Sequence, residues 1–275
     1  MERGVVPVHA ESTPEQRARH ATAALGAAGF GPVDWVAEAG STNADLLDQA
    51  RAGARHGRIL VADYQSAGKG RRGRTWTAAP GDALLASVLF RPADIPADHL
   101  SVLTSALAIS ATEACRTAGF AAVEIKWPND LVVAESGSHR KLAGILAEST
   151  LHRGEAAVVV GFGLNIVGDR LGELEGRAVA LGDLGPTPDR TDWLISIVER
   201  LASWLEVGEG RGRAALWARY RELSALIGRR VRVNLDGAVI EGVAADVSET
   251  GALLVDAADG RHEVAVGDVV ALRAT

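Results

Sequence analysis

Lysine is almost missing from this chain. Of its 29 basic residues only three are lysines, Lys69, Lys126 and Lys141, and arginine supplies the rest. A compact ammonium and a planar guanidinium are not interchangeable where a charge must sit at one point, so the surviving lysines are marked positions. At least two of them are expected to be functional. Cysteine is scarcer still. Cys115 stands alone, which excludes an intrachain disulfide and a cysteine zinc cluster and suits a reducing cytoplasm. A basic excess is absent too: the net charge of −6 and the pI near 5.7 argue against a general nucleic-acid binder. No apolar run reaches the ~18 residues of a membrane span, and the opening MERGVVPVHAESTPEQ has no signal-peptide core. His99, His139 and His152 lack metal-ligand spacing and are expected at the surface, with no metal site in the protein itself. These absences predict a soluble, cytoplasmic protein.

What is present is a chain of 275 residues, 47% hydrophobic, enough for one large domain and a small one. Residues 1–30 read as a loose tail and a helix, with Thr13 as N-cap, Pro14 in the first turn and a stop near Gly29. A second capped helix follows Ser41-Thr42-Asn43, with Leu46, Leu47 and Ala50 facing inward. RILVADY and DALLASVLF read as strands, and Leu100, Leu103, Leu107, Ala111 and Ala114 as a helical stripe. AAVEIKWPNDLVV, KLAGILAEST and EAAVVVGFGLNIV form a meander, with a polar turn from Glu135 to Arg140 ahead of Lys141. Helices at 192–206 and 213–226 close a domain of 31–225. From 226 to 275 the texture changes to five short alternating strands, the pattern of a small closed barrel. The fold class is therefore α+β: a mixed, mostly antiparallel sheet with flanking helices, followed by a barrel.

Residues 66–76, SAGKGRRGRTW, put four positive charges and three glycines in one loop. Gly68-Lys69-Gly70-Arg71-Arg72-Gly73 satisfies G-x-G-x-x-G, but no helix follows before Pro80-Gly81, so a dinucleotide fingerprint is excluded. A Walker A loop requires Gly where Asp63 stands and Ser or Thr where Gly70 stands. The loop is suited to anions yet belongs to neither nucleotide fold. Taken singly, each segment also has a plain structural reading. The loop is a solvated turn, Lys141 guards a strand edge, Lys126-Trp127-Pro128 ends an edge strand, and Ser41-Thr42-Asn43 caps a helix.

Together the segments carry more. The loop, then Lys126-Trp127-Pro128-Asn129-Asp130, then Lys141-Leu142-Ala143-Gly144-Ile145-Leu146, then Gly161-Phe162-Gly163-Leu164-Asn165, stand in the order found in biotin protein ligases, and this chain resembles that family across about 40–170. Lys69 replaces the family's usual arginine and keeps the charge. The resemblance implies a class II synthetase-like catalytic domain and a C-terminal SH3-like β-barrel. It implies activation of biotin by ATP and Mg2+ to biotinyl-5′-AMP, then transfer to a lysine of the biotin carboxyl carrier domain of an acyl-CoA carboxylase. Carried over residue by residue, Ser41, Thr42, Asn43 and Gln65 resemble the positions that hold biotin's ureido ring. Lys69, Gly70 and Arg71 resemble the segment gripping carboxylate and phosphate, and Lys141 the lysine bridging biotin's carboxyl and the α-phosphate. Gly144 and Gly163 would form an apolar floor. Gly68, Arg71, Arg74, Trp76, Lys126, Asn129 and Asn165 would face the nucleotide, and Asp130 would orient or deprotonate the carrier lysine. Lys141, Arg71 and Asp130 are the catalytic set. The loop is expected to be a disordered lid until ligand orders it.

Two rivals remain at this stage. A lipoate ligase would run the same chemistry on another acyl group. A nucleic-acid-binding module would use GKGRRGR and Arg229-Arg230-Val231-Arg232, against the acidic balance. The 40 residues before Ser41 are too few for the winged helix-turn-helix of the repressor members, so no operator DNA binding is expected, and the oligomeric state is left open.

Overall fold

The computed structural model describes residues 12–92, 95–135, 138–152, 154–168, 176–208, 213–235 and 237–272. Helix α1, Pro14–Leu25, starts as its sequence dictates: Gln16 N donates to Thr13 Oγ1 at 3.3 Å and Thr13 N donates back to Gln16 Oε1 at 2.9 Å. One 3-10 turn then runs to Gly29, whose φ of 77° ends it in the left-handed region. The larger unit continues through β1 (Val33–Ala39), α2 (Thr42–Arg51), β2 (Ile59–Gln65), β3 (Ala83–Phe90) and α3 (Ser101–Thr117). It ends with β4 (Val123–Lys126), β5 (Asp130–Glu135), β6 (Ser138–His152), β7 (Glu155–Asn165), α4 (Arg190–Gly208) and α5 (Arg213–Leu223).

The strands form one sheet in the order β1-β2-β3-β7-β6-β5-β4. Only β1 and β2, joined through α2, run parallel; the other neighbours are antiparallel. Strand alternation divides the apolar residues between two faces. Ile59 and Val61 enter the large core with Leu103, Leu107 and Trp193, whereas Leu60 joins Leu46, Leu47 and Leu89 beneath α2. The helical stripe expected on α3 is wider than drawn from the sequence. Val102, Ala106, Ile109 and Cys115 are buried as well, because α4 and α5 pack on the helix's other side.

The C-terminal strands are β8 (Arg230–Leu235), β9 (Ala238–Val247), β10 (Leu253–Ala257), β11 (Gly260–Val264) and β12 (Asp268–Ala271). They pair antiparallel in the order β11-β10-β9-β8-β12. The strand count matches the expectation, but among the described residues β11 and β12 form no ladder with each other. The unit is therefore an open sheet where closure was expected.

This sheet shares its interior with the larger unit. Val231, Val233, Ala244 and Leu253 belong to the same apolar cluster as Leu216, Trp217 and Leu223. Polar contacts fix the junction: Ser101 Oγ donates to the Thr250 carbonyl at 2.6 Å and Trp127 Nε1 to the Gly251 carbonyl at 2.9 Å. Gly251 adopts φ +83°, and a Cβ there would lie 2.7 Å from Ser101 Oγ and 3.1 Å from the Trp217 ring. Gly251→Ala is therefore expected to destabilise the protein by about 1–3 kcal/mol, from overpacking and left-handed strain together. Thermal unfolding should show a single transition shifted down by several degrees, since one core spans both units.

Candidate functional site

The site begins with a register change. Strands β5 and β6 pair Asp130 with Gly144 and Leu131 with Ala143, then Val132 with Lys141, so Leu142 is an extra residue. Regular alternation would put Lys141 on the same face as Ala143, inside the core. The bulge sends Leu142 and Ala143 into the core together and turns Lys141 toward Gly144, where a Cβ would lie 3.1 Å from the lysine Nζ. Residues 177–179 hold the Lys141 backbone: its N–H donates to the Arg177 carbonyl and its carbonyl accepts from Val179 N, both at 2.9 Å. Lys141 is thus the fourth residue of β6, where the sequence suggested the head of a strand after a longer turn; residues 136 and 137 of that turn lie outside the described residues. Its Nζ pairs with Asp130 Oδ1 at 2.6 Å.

Opposite lies a chain of polar side chains at the start of α2. Ser41 occupies the cap position, but its side chain makes no capping bond, in contrast to the expectation. Gln65 does that work instead, its Oε1 accepting from Thr42 N at 2.8 Å and from Thr42 Oγ1 at 3.0 Å. Buried Ser87 Oγ sits 2.7 Å from both Thr42 Oγ1 and Asn43 Oδ1. Asn43 Nδ2 donates to the Leu146 carbonyl at 3.1 Å and to Glu148 Oε2 at 2.9 Å. Only glycine fits beneath this chain at position 161, since a Cβ there would sit 2.1 Å from Asn43 Oδ1.

The arginine loop closes over the gap. It is a short hairpin, with Lys69 bridged to Thr75, Gly70 N donating to the Arg74 carbonyl at 2.7 Å and Trp76 N to the Gly68 carbonyl at 2.9 Å. This pairing gives the loop the geometry of a closed cover over the site. Side-chain partners add to it. Lys69 Nζ is 3.7 Å from Glu148, Arg71 NH1 donates to Asn129 Oδ1 at 3.2 Å, and Arg72 and Arg74 reach Asp268. Burial pushes the Arg71 guanidinium below its ordinary pKa, while Asp268 and Asp130 pull it back up. Trp76 lays its ring on the floor where Gly144 and Gly163 are cross-strand partners. A Cβ on Gly163 would meet it at 2.5 Å, and Lys141 Nζ lies 5.4 Å from the ring centroid. A cleft of about 220 Å³ opens beside it, lined by Tyr64, Gln65, Gly68, Trp76, Asp82 and Asn165.

The site residues expected from sequence thus fall into one region, with two qualifications. Asn165 is buried and its Nδ2 donates to the Val179 carbonyl at 3.2 Å, so it also holds the 177–179 segment that braces Lys141. Lys126 faces Asp130 across the β4–β5 ladder, and its charge helps depress His139. His139 is not a free surface residue as expected: it is half-buried 3.5 Å from Glu124, and burial first, then Arg229, lowers its pKa. His99 likewise packs toward the C-terminal unit, its Nδ1 3.1 Å from the Glu249 carbonyl. The side chain of His152 lies outside the described residues. Ser87, Glu148 and Asp268 were missed. Ser87 had a signal, a lone hydroxyl amid ALLASVLF; the two carboxylates had none.

Comparison with known proteins fits this geometry. The biotin/lipoate A/B protein ligase family matches residues 40–165, and the biotin protein ligase C-terminal domain matches 226–271. The chain is 40% identical over 260 residues to the biotin–[acetyl-CoA-carboxylase] ligase of Mycobacterium tuberculosis, covering 89% of this chain and 91% of that protein. It is 34% identical to the bifunctional ligase/repressor BirA of Escherichia coli, covering 85% of this chain and 71% of that one. Among solved structures it matches the biotin protein ligase of Aquifex aeolicus in complex with biotin and ATP. The TM-score is 0.74 at 26% identity, with 88% of this chain and 99% of that chain covered.

The polar chain at α2 can be tested without any ligand. Ser87→Ala leaves Asn43 Oδ1 buried without its hydroxyl partner, at a cost of about 1–3 kcal/mol. The urea midpoint should fall with an unchanged slope.

Proposed function

The chain belongs to the biotin/lipoate A/B protein ligase family, and from that premise we infer that it activates biotin with ATP and passes the biotinyl group to a carboxylase carrier domain. A biotin carboxylate oxygen attacks the α-phosphorus of ATP, forming biotinyl-5′-AMP and releasing pyrophosphate. A carrier lysine amine then attacks the acyl carbon, forming the amide as AMP leaves. The observation that carries the assignment of roles is the convergence of Lys141, turned outward by the bulge, with Lys69 and Arg71 from the loop above one glycine floor. Both steps develop negative charge, and preorganised cations act where it develops.

The remaining roles follow from hydrogen-bonding capacity. Gln65 Oε1 already accepts from Thr42, which leaves the Gln65 amide Nε2 as a donor for biotin's ureido oxygen. Thr42, Asn43 and Ser41 line the same end. Lys141 and Lys69 exchange their carboxylate partners for the biotin carboxylate and the phosphate. Trp76 and Asn129 flank the nucleotide, with Gly68, Gly70, Arg74 and Lys126 around it. Asp130, once released by Lys141, is placed to receive the carrier ammonium. Among the described residues no group of three or more His, Cys, Asp or Glu gathers to cage a metal. Mg2+ would arrive on the triphosphate, and the Asp130 carboxylate, once Lys141 releases it, would offer it a hard oxygen. The ion supplies neutralising charge at the phosphates. No helix among the described residues is long and apolar enough to cross a membrane. The single, buried Cys115 suits a reducing cytoplasm.

Biotin-dependent exchange of pyrophosphate into ATP, with lipoate in a parallel arm, tests the reading; exchange driven by lipoate and not by biotin overturns it. Lys141→Arg should nearly abolish exchange in a folded protein, because the broad guanidinium does not fit the space of the ammonium. Arg71→Gly should speed release of preformed biotinyl-5′-AMP by about ten- to a hundredfold, the equivalent of one charge-assisted hydrogen bond. That variant should also label bystander lysines on serum albumin, seen by blotting.

A further inference from the structure

We propose that Asp268, at the edge of the C-terminal sheet, is a positioning residue that clasps the arginine loop over the site, so that the C-terminal unit sets how long the acyl-adenylate stays bound. The proposal rests on the ligase reading above. Asp268 Oδ2 accepts from Arg74 NH2 at 2.7 Å and from Arg72 NH1 at 3.2 Å, across 194 and 196 residues of sequence. These arginines follow closely on Arg71, which itself reaches Asn129.

The two sides of the contact differ in rigidity. Asp268 opens β12 and is a ladder partner of Asn234 in β8. The loop tip is a single 3-10 turn in which Arg72 takes φ 57° and ψ 37° and Gly73 takes φ 72°. A non-glycine residue in the left-handed region persists only where its surroundings hold it. Lys69, Arg71, Arg72 and Arg74 repel one another, so an anionic anchor also stabilises the closed loop.

The exposure of the pair suits a reversible contact. Side-chain exposure is 45% for Asp268, 33% for Arg72 and 66% for Arg74, so water and salt reach all three. Exposed ion pairs are weak and screened. The clasp slows loss of the adenylate without locking the loop against an arriving carrier domain.

The experiment loads wild-type protein with biotin and ATP, removes free ligand by rapid filtration and follows loss of biotinyl-5′-AMP. Asp268→Asn should release it roughly three- to tenfold faster, the range expected for losing two exposed pairs. Wild-type release should accelerate with sodium chloride, and Asp268→Asn should lose most of that dependence. Asp268→Glu should restore retention. A purely structural role for Asp268 would instead lower the melting temperature while leaving the salt dependence intact, and that result overturns the clasp. A wild type that forms no adenylate sinks the ligase reading, and the clasp with it. A wild type that holds its adenylate beside an equally retentive Asp268→Asn, with the same salt dependence, sinks the clasp alone.

Discussion

One extra residue in one strand organises the site. A β-strand alternates its side chains strictly, so without the bulge at Leu142 the Lys141 ammonium would point into the apolar interior at heavy desolvation cost. The bulge resolves that conflict by sending two neighbours, Leu142 and Ala143, to the same side. Everything else in the site is arranged around the lysine so exposed. Asp130 meets it from the facing strand, Trp76 lies across it, and the 177–179 segment secures its backbone.

The second constraint is electrostatic. A chain with net charge −6 concentrates cations in one small loop beside Lys141, and each of these cations has a resident partner that offsets the mutual repulsion. Lys141 has Asp130, Lys69 has Glu148, Arg71 has Asn129, and Arg72 and Arg74 share Asp268. In the proposed reaction an anionic substrate replaces one oxygen ligand by another. The change in solvation on binding is smaller than for bare charges, and the discrimination rests on geometry.

Much of this is legible in the sequence. Scarcity made the three lysines conspicuous, glycine spacing exposed the loop, and alternation separated the C-terminal strands from the rest. What escaped had physical reasons. KLAGIL reads as an unbroken apolar strand, because a bulge changes register without changing composition. Glu148 and Asp268 look like ordinary surface carboxylates, since their partners lie far away in sequence. The loop's partners were hidden for the same reason: local repulsion is visible in SAGKGRRGRTW, while the distant counter-charges are not. His139 reads as a surface residue because nothing nearby in sequence announces Glu124 across the sheet. Closure of the C-terminal strands was over-read from their number alone.

The junction at Gly251 bears on heredity as well as on folding. Its positive φ, its fit against Ser101 and Trp217, and the Arg221–Asp246 pair bind residues encoded far apart into one interlocking seam. A C-terminal unit borrowed from a distant relative would bring the wrong half of that seam. A replacement on either side of the seam would need a matching one on the other to keep the fit. The two units look like separable modules on a strand diagram, yet descent must treat them as one inheritable piece.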